Sequence, residues 1–306
     1  KNARRAKPPA RKPAAAEPAA TALDAAAASW SPNQAVSAAP TTGAVALDAA
    51  APSWDPGAAL DAAAASWVPG AAAVAADAIA NVSGEAADVW DPYYAIDVEC
   101  VATGLRHDDR ALAQVSLVRG DGSVELDLYI KQSKPTVSYL TPLTGLTESL
   151  LDQKGVSLEV ALQTLREHLR KTAIIVGHSV HNDIRWLDLQ FGVDFAGIVD
   201  VAELWRVWHP KYQDWWTFSQ EHMAKVLLAD DMNGGAHNAV SDAQKSLKLF
   251  KLHQELLAKG PEHVERAKHE MLAVPLSKSF AKRYPIFDGV CMGYWRTCNC
   301  GSLLDT

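Results

Sequence analysis

Asp97 and Glu99 stand two residues apart in "AIDVEC", at the end of a short apolar run. In an extended strand a separation of two puts both side chains on one face. Two carboxylates there repel each other unless a cation lies between them. The run before them is continuously apolar, as expected of a strand covered on both faces, so a solvated strand end explains them poorly. Asp183 follows a second apolar run, "AIIVGH", and Asp242 lies five positions after His237 in "HNAVSDAQKSLKLF". Four carboxylates without a cysteine or histidine cluster suit hard divalent ions such as Mg2+ or Mn2+. Two such ions, roughly 4 Å apart, can hold the attacking and leaving oxygens of a phosphoryl transfer. A histidine beside them can take the proton of the attacking water.

These residues must be gathered from distant parts of the chain. "YYAIDVEC" reads as a buried strand. "ALAQVSLVR" and "SVELDLYI" alternate around "GDGS", which predicts a hairpin. "SLEVALQTLREHLR" has apolar residues at helical spacing. "AIIVGH" is another buried strand, "NDIRWLDL" a helix, and "GIVDVAELW" a short strand leading into a helix. "HNAVSDAQKSLKLFKLHQELLAKG" is a long amphipathic helix with Gly260 placed to end it. The expected fold class is α/β, a mixed five-stranded sheet flanked by helices over residues 93–258, with a helix and a cysteine-containing extension over 259–306.

The first 92 residues are different. Lys1, Arg4, Arg5, Lys7, Arg11 and Lys12 give a basic start, and no Lys or Arg follows until Arg106. Between them lies Ala, Pro, Ser and Gly with isolated Asp and Trp, a composition expected to form a disordered low-complexity arm. The basic start suits a nuclear signal, the end of a transit peptide, a nucleic-acid arm or a solvated tail. The 306-residue chain carries a net charge of −7, so nucleic acid would have to be held by metals and a local patch. Four cysteines do not suggest a secreted disulfide scaffold, and no uncharged apolar run is long enough to cross a membrane.

Three segments, "AIDVECVATG", "VGHSVHNDIRWL" and "HNAVSDAQKSLKLF", resemble the three motifs of the DEDDh 3′–5′ exonucleases, which have an RNase H-like fold. The resemblance covers residues 93–256 and is greatest toward the eukaryotic RNA exonuclease branch, where methionine usually stands at the place of Cys100. It implies that Asp97 bridges both ions, that Glu99 and Asp242 bind the nucleophile-side ion and that Asp183 reaches the second, directly or through water. His237 becomes the general base. Val98, Cys100 and Val101 follow the backbone over which the terminal nucleotide would lie. Leu143, Thr144, Gly145 and Leu146 resemble a family loop that contacts the terminal sugar, although a turn with a helix cap at Thr147 explains them equally well. His178 and His181 are expected to support or pack rather than to ligate.

"ALDAAAASW" at 22–30 returns at 59–67, with a near copy at 46–54. Each copy reads L-D-x-x-A-x-x-W-x-P or a one-letter variant, with anchors Leu23 and Trp30, Leu47 and Trp54, and Leu60 and Trp67. This resembles the motif that binds the C-terminal helical domain of cytoplasmic poly(A)-binding protein, L-N-P-x-A-x-x-F-x-P. Here Asp replaces Asn, Trp replaces Phe, and the proline after Asn is missing. Two apolar anchors on an extended chain can each fill a pocket, and three copies add avidity.

The expected activity is release of nucleoside monophosphates from a single-stranded RNA 3′ end with two Mg2+ (or Mn2+). Cytoplasmic action on mRNA ends is favoured. Nuclear trimming of structured RNA precursors and an idle 3′-end-binding adaptor are the alternatives. In "LWRVWHPKYQDWW", Trp205 and Trp208 have helical spacing and are expected to face the core, with Trp215 and Trp216 left as surface candidates. Cys291, Cys298 and Cys300 lack an obvious fourth ligand, so reduced, packed thiols are expected. Lys278, Lys282 and Arg283 make a small basic patch that either guides RNA or is simply solvated.

Overall fold

The computed structural model describes residues 89–230, 235–294 and 296–300. The basic start and the three Leu-to-Trp repeats lie outside the described residues. The sheet has the order β3-β2-β1-β4-β5, with β1 at Tyr93–Ala102, β2 at Arg110–Arg119, β3 at Val124–Tyr129, β4 at Ile174–Gly177 and β5 at Gly197–Asp200. β1, β2 and β3 pair antiparallel, while β4 and β5 run parallel to β1. The hairpin signal at "GDGS" and the two later apolar runs thus produce a mixed five-stranded sheet flanked by helices, the RNase H-like exonuclease architecture.

Helices follow in chain order. They are α1 (Thr141–Thr144), α2 (Glu148–Lys154), α3 (Leu158–His168), α4 (His181–Trp186), α5 (Val201–Leu204), α6 (Gln220–Leu227), α7 (Ala239–Lys259), α8 (Pro261–Ala273) and α9 (Phe280–Arg283). Two cores cover the two faces of the sheet. Tyr93 and Ala95 join Leu247 and Phe250 of α7 and Met271 of α8. Tyr94 and Ile96 join Ala161 and Leu165 of α3. Odd positions of β1 therefore face α7 and even positions face α3, the period of two at work.

α7 is built to hold its place. Asn238 caps it, its side chain accepting from the backbone N–H of Val240 and Ser241, a device worth about 1 kcal/mol. At the other end Gly260 takes φ 134°, and Pro261 opens α8 at once. No helix among the described residues is long and apolar enough to cross a membrane.

The fold departs from expectation in two places. Residues 89–92 form a turn rather than arm, with Trp90 packed edge-on to Phe250 at 5.8 Å between centroids. The tryptophan-rich segment is a hairpin of β6 (Val207–His209) and β7 (Asp214–Trp216), not a helix. Alternation in strands therefore decides exposure. Trp205 is fully buried and Trp216 is 7% exposed, whereas Trp208 and Trp215 are 47% and 48% exposed. That corrects the expected core position of Trp208 and the expected surface position of Trp216.

Candidate active site

Asp97 and Glu99 continue the odd-numbered row of β1, so they point to the face on which α7 lies. Beside them the pairing slips: Glu99 faces Gln114 of β2, but Cys100 faces Leu112, leaving Ala113 as the extra residue of a bulge. A bulge raises local twist and re-aims neighbouring side chains, a device that recurs beside active sites.

Asp183 arrives from the far edge of β1. β4 ends at Gly177, where a Cβ would sit 2.5 Å from Val180 Cγ2 and 3.2 Å from the Ile96 carbonyl oxygen, so only glycine permits the turn into α4. Asp200, at the end of β5, fixes that turn. Its carboxylate accepts from Ser179 N at 2.9 Å and Val180 N at 3.2 Å, and also from Ala202 N at 2.9 Å. Asp183 then accepts from Val98 N at 3.1 Å, which ties it to the catalytic strand.

Asp242 lies in the first turn of α7, where the positive end of the helix dipole favours an anion. The backbone N–H of Ala239 donates to Gln114 Oε1 at 3.4 Å, seating the helix start on β2. His237 is held from the other side, its N–H donating to the Leu143 carbonyl at 2.6 Å. One donor atom each from Glu99, His237 and Asp242 lie within 4.8 Å of one another. Asp183 and Asp242 are only 7% and 4% exposed.

The electrostatics record the crowding. Burial pushes Asp97 well above the usual carboxylate range, and the charges of Asp183, Asp242 and Glu99 push the same way. Burial raises Glu99 to about 8, offset in part by His237. Burial also raises Asp183 to about 8, against its backbone hydrogen bonds. Asp242 behaves differently. Burial would raise it, but hydrogen bonds from His237 and Lys245 more than offset that and hold it below its ordinary value. His237 Nδ1 is 2.8 Å from Asp242 Oδ2, and this bond raises the histidine above its ordinary value. Lys245 Nζ lies 2.8 Å from Asp242 Oδ1. Three carboxyls with raised pKa values, Asp183 buried and Asp97 and Glu99 half-buried, are a site short of positive charge, and an all-oxygen donor set with one flanking imidazole fits Mg2+ or Mn2+.

A cleft open to solvent adjoins this cluster. Its walls include Leu143, Gln220, His237 and Lys245, and from the C-terminal extension Phe280 and Arg283. Of the basic patch, Arg283 therefore reaches the cleft.

The remaining candidates are placed as follows. Val98 and Cys100 pack toward the α3-side core, and Val101, Thr144 and Leu146 are buried. The contact expected of Val98, Cys100 and Val101 is through their backbone, and their side chains pack inward. Leu143 does line the cleft, and Gly145 lies against Ala236 and His237. Thr147 also caps α2, accepting from Leu150 N, so the loop is both cap and site wall. His178 bonds the Phe218 carbonyl at 2.8 Å, a packing role. Sequence reasoning missed Lys245 and Asp200. Lys245 was findable as the cation three residues beyond Asp242 on the same helix; Asp200 was an unremarked strand-end acid.

Fold and site together define a nuclease of the carboxylate type. Residues 94–250 match the exonuclease (RNase_T) family, and the chain belongs to that family. It is 33% identical over 159 residues to RNA exonuclease 4 of Candida glabrata, covering 52% of this chain and 59% of that protein. It is 32% identical over 157 residues to small RNA degrading nuclease 3 of Arabidopsis thaliana, covering 50% and 19%. A third relative is the PAN2-PAN3 deadenylation complex catalytic subunit PAN2 of Pyricularia oryzae, 31% identical over 184 residues and covering 57% and 16%. The matched segment is thus little more than half of one of these relatives and under a fifth of the other two. The pseudoubiquitin hydrolase–RNA exonuclease module of Saccharomyces cerevisiae Pan2 shares the fold, with TM-score 0.51 at 22% identity over 60% of this chain and 31% of that one.

Proposed function

We propose that this chain is a divalent-metal-dependent 3′–5′ exoribonuclease that releases nucleoside monophosphates. The observation that carries the reading is the convergence of Glu99, His237 and Asp242 donor atoms within 4.8 Å, beside the half-buried Asp97 and the buried Asp183. When bound, two Mg2+ ions would supply Lewis-acid stabilisation of the charge that develops on the phosphate. Asp97, Glu99, Asp183 and Asp242 would hold them. His237 takes the proton of the attacking water, and its Nδ1 bond to Asp242 keeps the ring oriented toward the cleft. Arg283 and Lys245 offer positive charge to the phosphate backbone, and Phe280 offers a face for a base. RNA is favoured over DNA because the relatives at 31–33% identity are named for RNA degradation or deadenylation. Incubation with unlabelled RNA homopolymers and matching single-stranded DNA, with products resolved by chromatography, tests this. Nucleoside 5′-monophosphates from RNA, formed at least about tenfold faster than from DNA, are expected. Equal or faster DNA digestion would remove the ribonuclease assignment.

We further propose that the three repeats recruit the enzyme to cytoplasmic mRNA 3′ ends through poly(A)-binding protein. The support is the register of Leu, Ala, Trp and Pro in each copy and the likeness to a deadenylation subunit. A peptide of residues 20–35 is expected to bind the helical domain with micromolar affinity, and Trp30→Ala to weaken it at least tenfold, since a buried Trp anchor is worth roughly 2 kcal/mol or more. If none of the three repeats binds, nuclear trimming becomes the better reading.

A further inference from the structure

Outside the carboxylate centre, the structure assembles a second set of metal-binding groups. A ring nitrogen of His107 and the sulfurs of Cys291, Cys298 and Cys300 all lie within 4.8 Å of one another. Cys291 and Cys298 sulfurs are 3.5 Å apart, and Cys298 Sγ is 3.4 Å from His107 Nδ1. A tetrahedral Zn2+ with Zn–S of ~2.3 Å and Zn–N of ~2.0 Å separates its ligand atoms by roughly 3.5–3.8 Å. The observed spacings match that edge. The backbone supports it as well. Gly293 takes φ 73° and donates its N–H to Cys291 Sγ at 3.5 Å, which stabilises a thiolate there. Gly293 packs against His107, where a Cβ would meet it at ordinary contact distance, so it is the positive φ that favours glycine there.

We infer that His107, Cys291, Cys298 and Cys300 form a structural Zn2+ site. Binding releases the three thiol protons, and the ion, three thiolates and a neutral imidazole sum to a charge of −1. Arg110 lies alongside to offset it, its guanidinium donating to the Cys291 carbonyl at 2.9 Å. All four positions are filled by protein, so no ligand place remains for water or substrate, as in zinc sites that hold structure rather than catalyse.

The site joins two distant segments. His107 sits in the loop after β1, and the cysteines belong to the C-terminal extension, whose β8 (Ile286–Phe287) and β9 (Val290–Cys291) form a small hairpin. Cys291 N donates to the Leu105 carbonyl at 2.8 Å, and Ser138 Oγ donates to Asp288 Oδ2 at 2.7 Å. α9, immediately before this hairpin, carries Phe280 and Arg283 to the wall of the cleft. Zinc would thus clamp the segment that completes the RNA-facing wall.

The full chain, expressed with zinc and dialysed against Mg2+, is expected to retain one zinc per chain by elemental mass spectrometry. Cys298→Ser should lower that to under roughly a fifth, while Asp97→Asn keeps it, which separates this site from the carboxylate centre. Cobalt substitution of the wild-type chain should give a thiolate-to-metal charge-transfer band, a readout that does not depend on any variant folding. Absence of zinc from the wild-type chain, no charge-transfer band on cobalt loading, or a Cys291–Cys298 disulfide found by peptide mapping would overturn the assignment.

Discussion

Asp97→Asn is expected to lower the rate of nucleotide release by roughly 10³-fold or more, since it removes one of the four carboxylates that would hold the ions. The same change should make the metal-free protein more stable. Asp97 is half-buried, and its desolvation together with the charges of Asp183, Asp242 and Glu99 opposes its ionisation. A carboxyl whose folded pKa is raised binds its proton more tightly in the folded chain than in the unfolded one. Its contribution is therefore full at low pH and is lost as pH rises from the unfolded value toward the folded one. At pH 8 an amide of the same shape escapes that loss. A gain of about 1–2 kcal/mol, or roughly 2–8 °C in Tm, is expected for a domain of this size. Thermal unfolding in EDTA beside a rate measurement in Mg2+ reads both effects. A variant that is both inactive and less stable would mean that Asp97 is a structural residue.

The second large effect is metal dependence with a defined pH sense. Glu99 and Asp183 are each pushed up to about 8, so at pH 6 both carry protons in the metal-free fold. Metal binding must then displace them, at a cost of roughly tenfold in apparent affinity per proton per pH unit. From pH 8 to pH 6 the Mg2+ concentration needed for half-maximal stabilisation should rise by roughly 50-fold if one proton leaves and by roughly 2,500-fold if both do, because each group is already about half deprotonated at pH 8. Titration of Tm with Mg2+ at the two pH values measures this. Equal midpoints would mean that Glu99 and Asp183 do not both ligate.

Much of this centre was legible because its spacing is locked to secondary structure. Two residues in a strand share a face, which made Asp97 and Glu99 a pair before any coordinates. Asp242 was legible because helical spacing placed it in the same amphipathic element that begins near His237. The five-stranded sheet followed from apolar runs and one glycine-rich turn. What was not legible depended on approach in space. Nothing in the sequence around His107 points to cysteines nearly two hundred residues later; bonds from Cys291 to Leu105, from Arg110 to Cys291 and from Ser138 to Asp288 bring the segments together. The β6–β7 hairpin failed for a different reason. Trp205 and Trp208 are three apart, a spacing that fits a helix, yet Trp205 ends α5 as its C-cap and Trp208 lies in a strand with a new alternation. Lys245 pairs with Asp242 at i,i+3 within one helix, so that ion pair was legible; what was not legible was that the pair would sit among the carboxylates of the first strand.

The central claim is metal-dependent removal of nucleotides from a free RNA 3′ end. A 5′-labelled single-stranded RNA, offered with either a 3′-hydroxyl or a blocked 3′ end, in Mg2+ or in EDTA, tests it most directly. Stepwise shortening of the 3′-hydroxyl RNA in Mg2+ alone, with the blocked RNA and the Asp97→Asn protein giving none, is the predicted result. Cleavage of the blocked RNA at internal positions, or shortening that continues in EDTA, would contradict it.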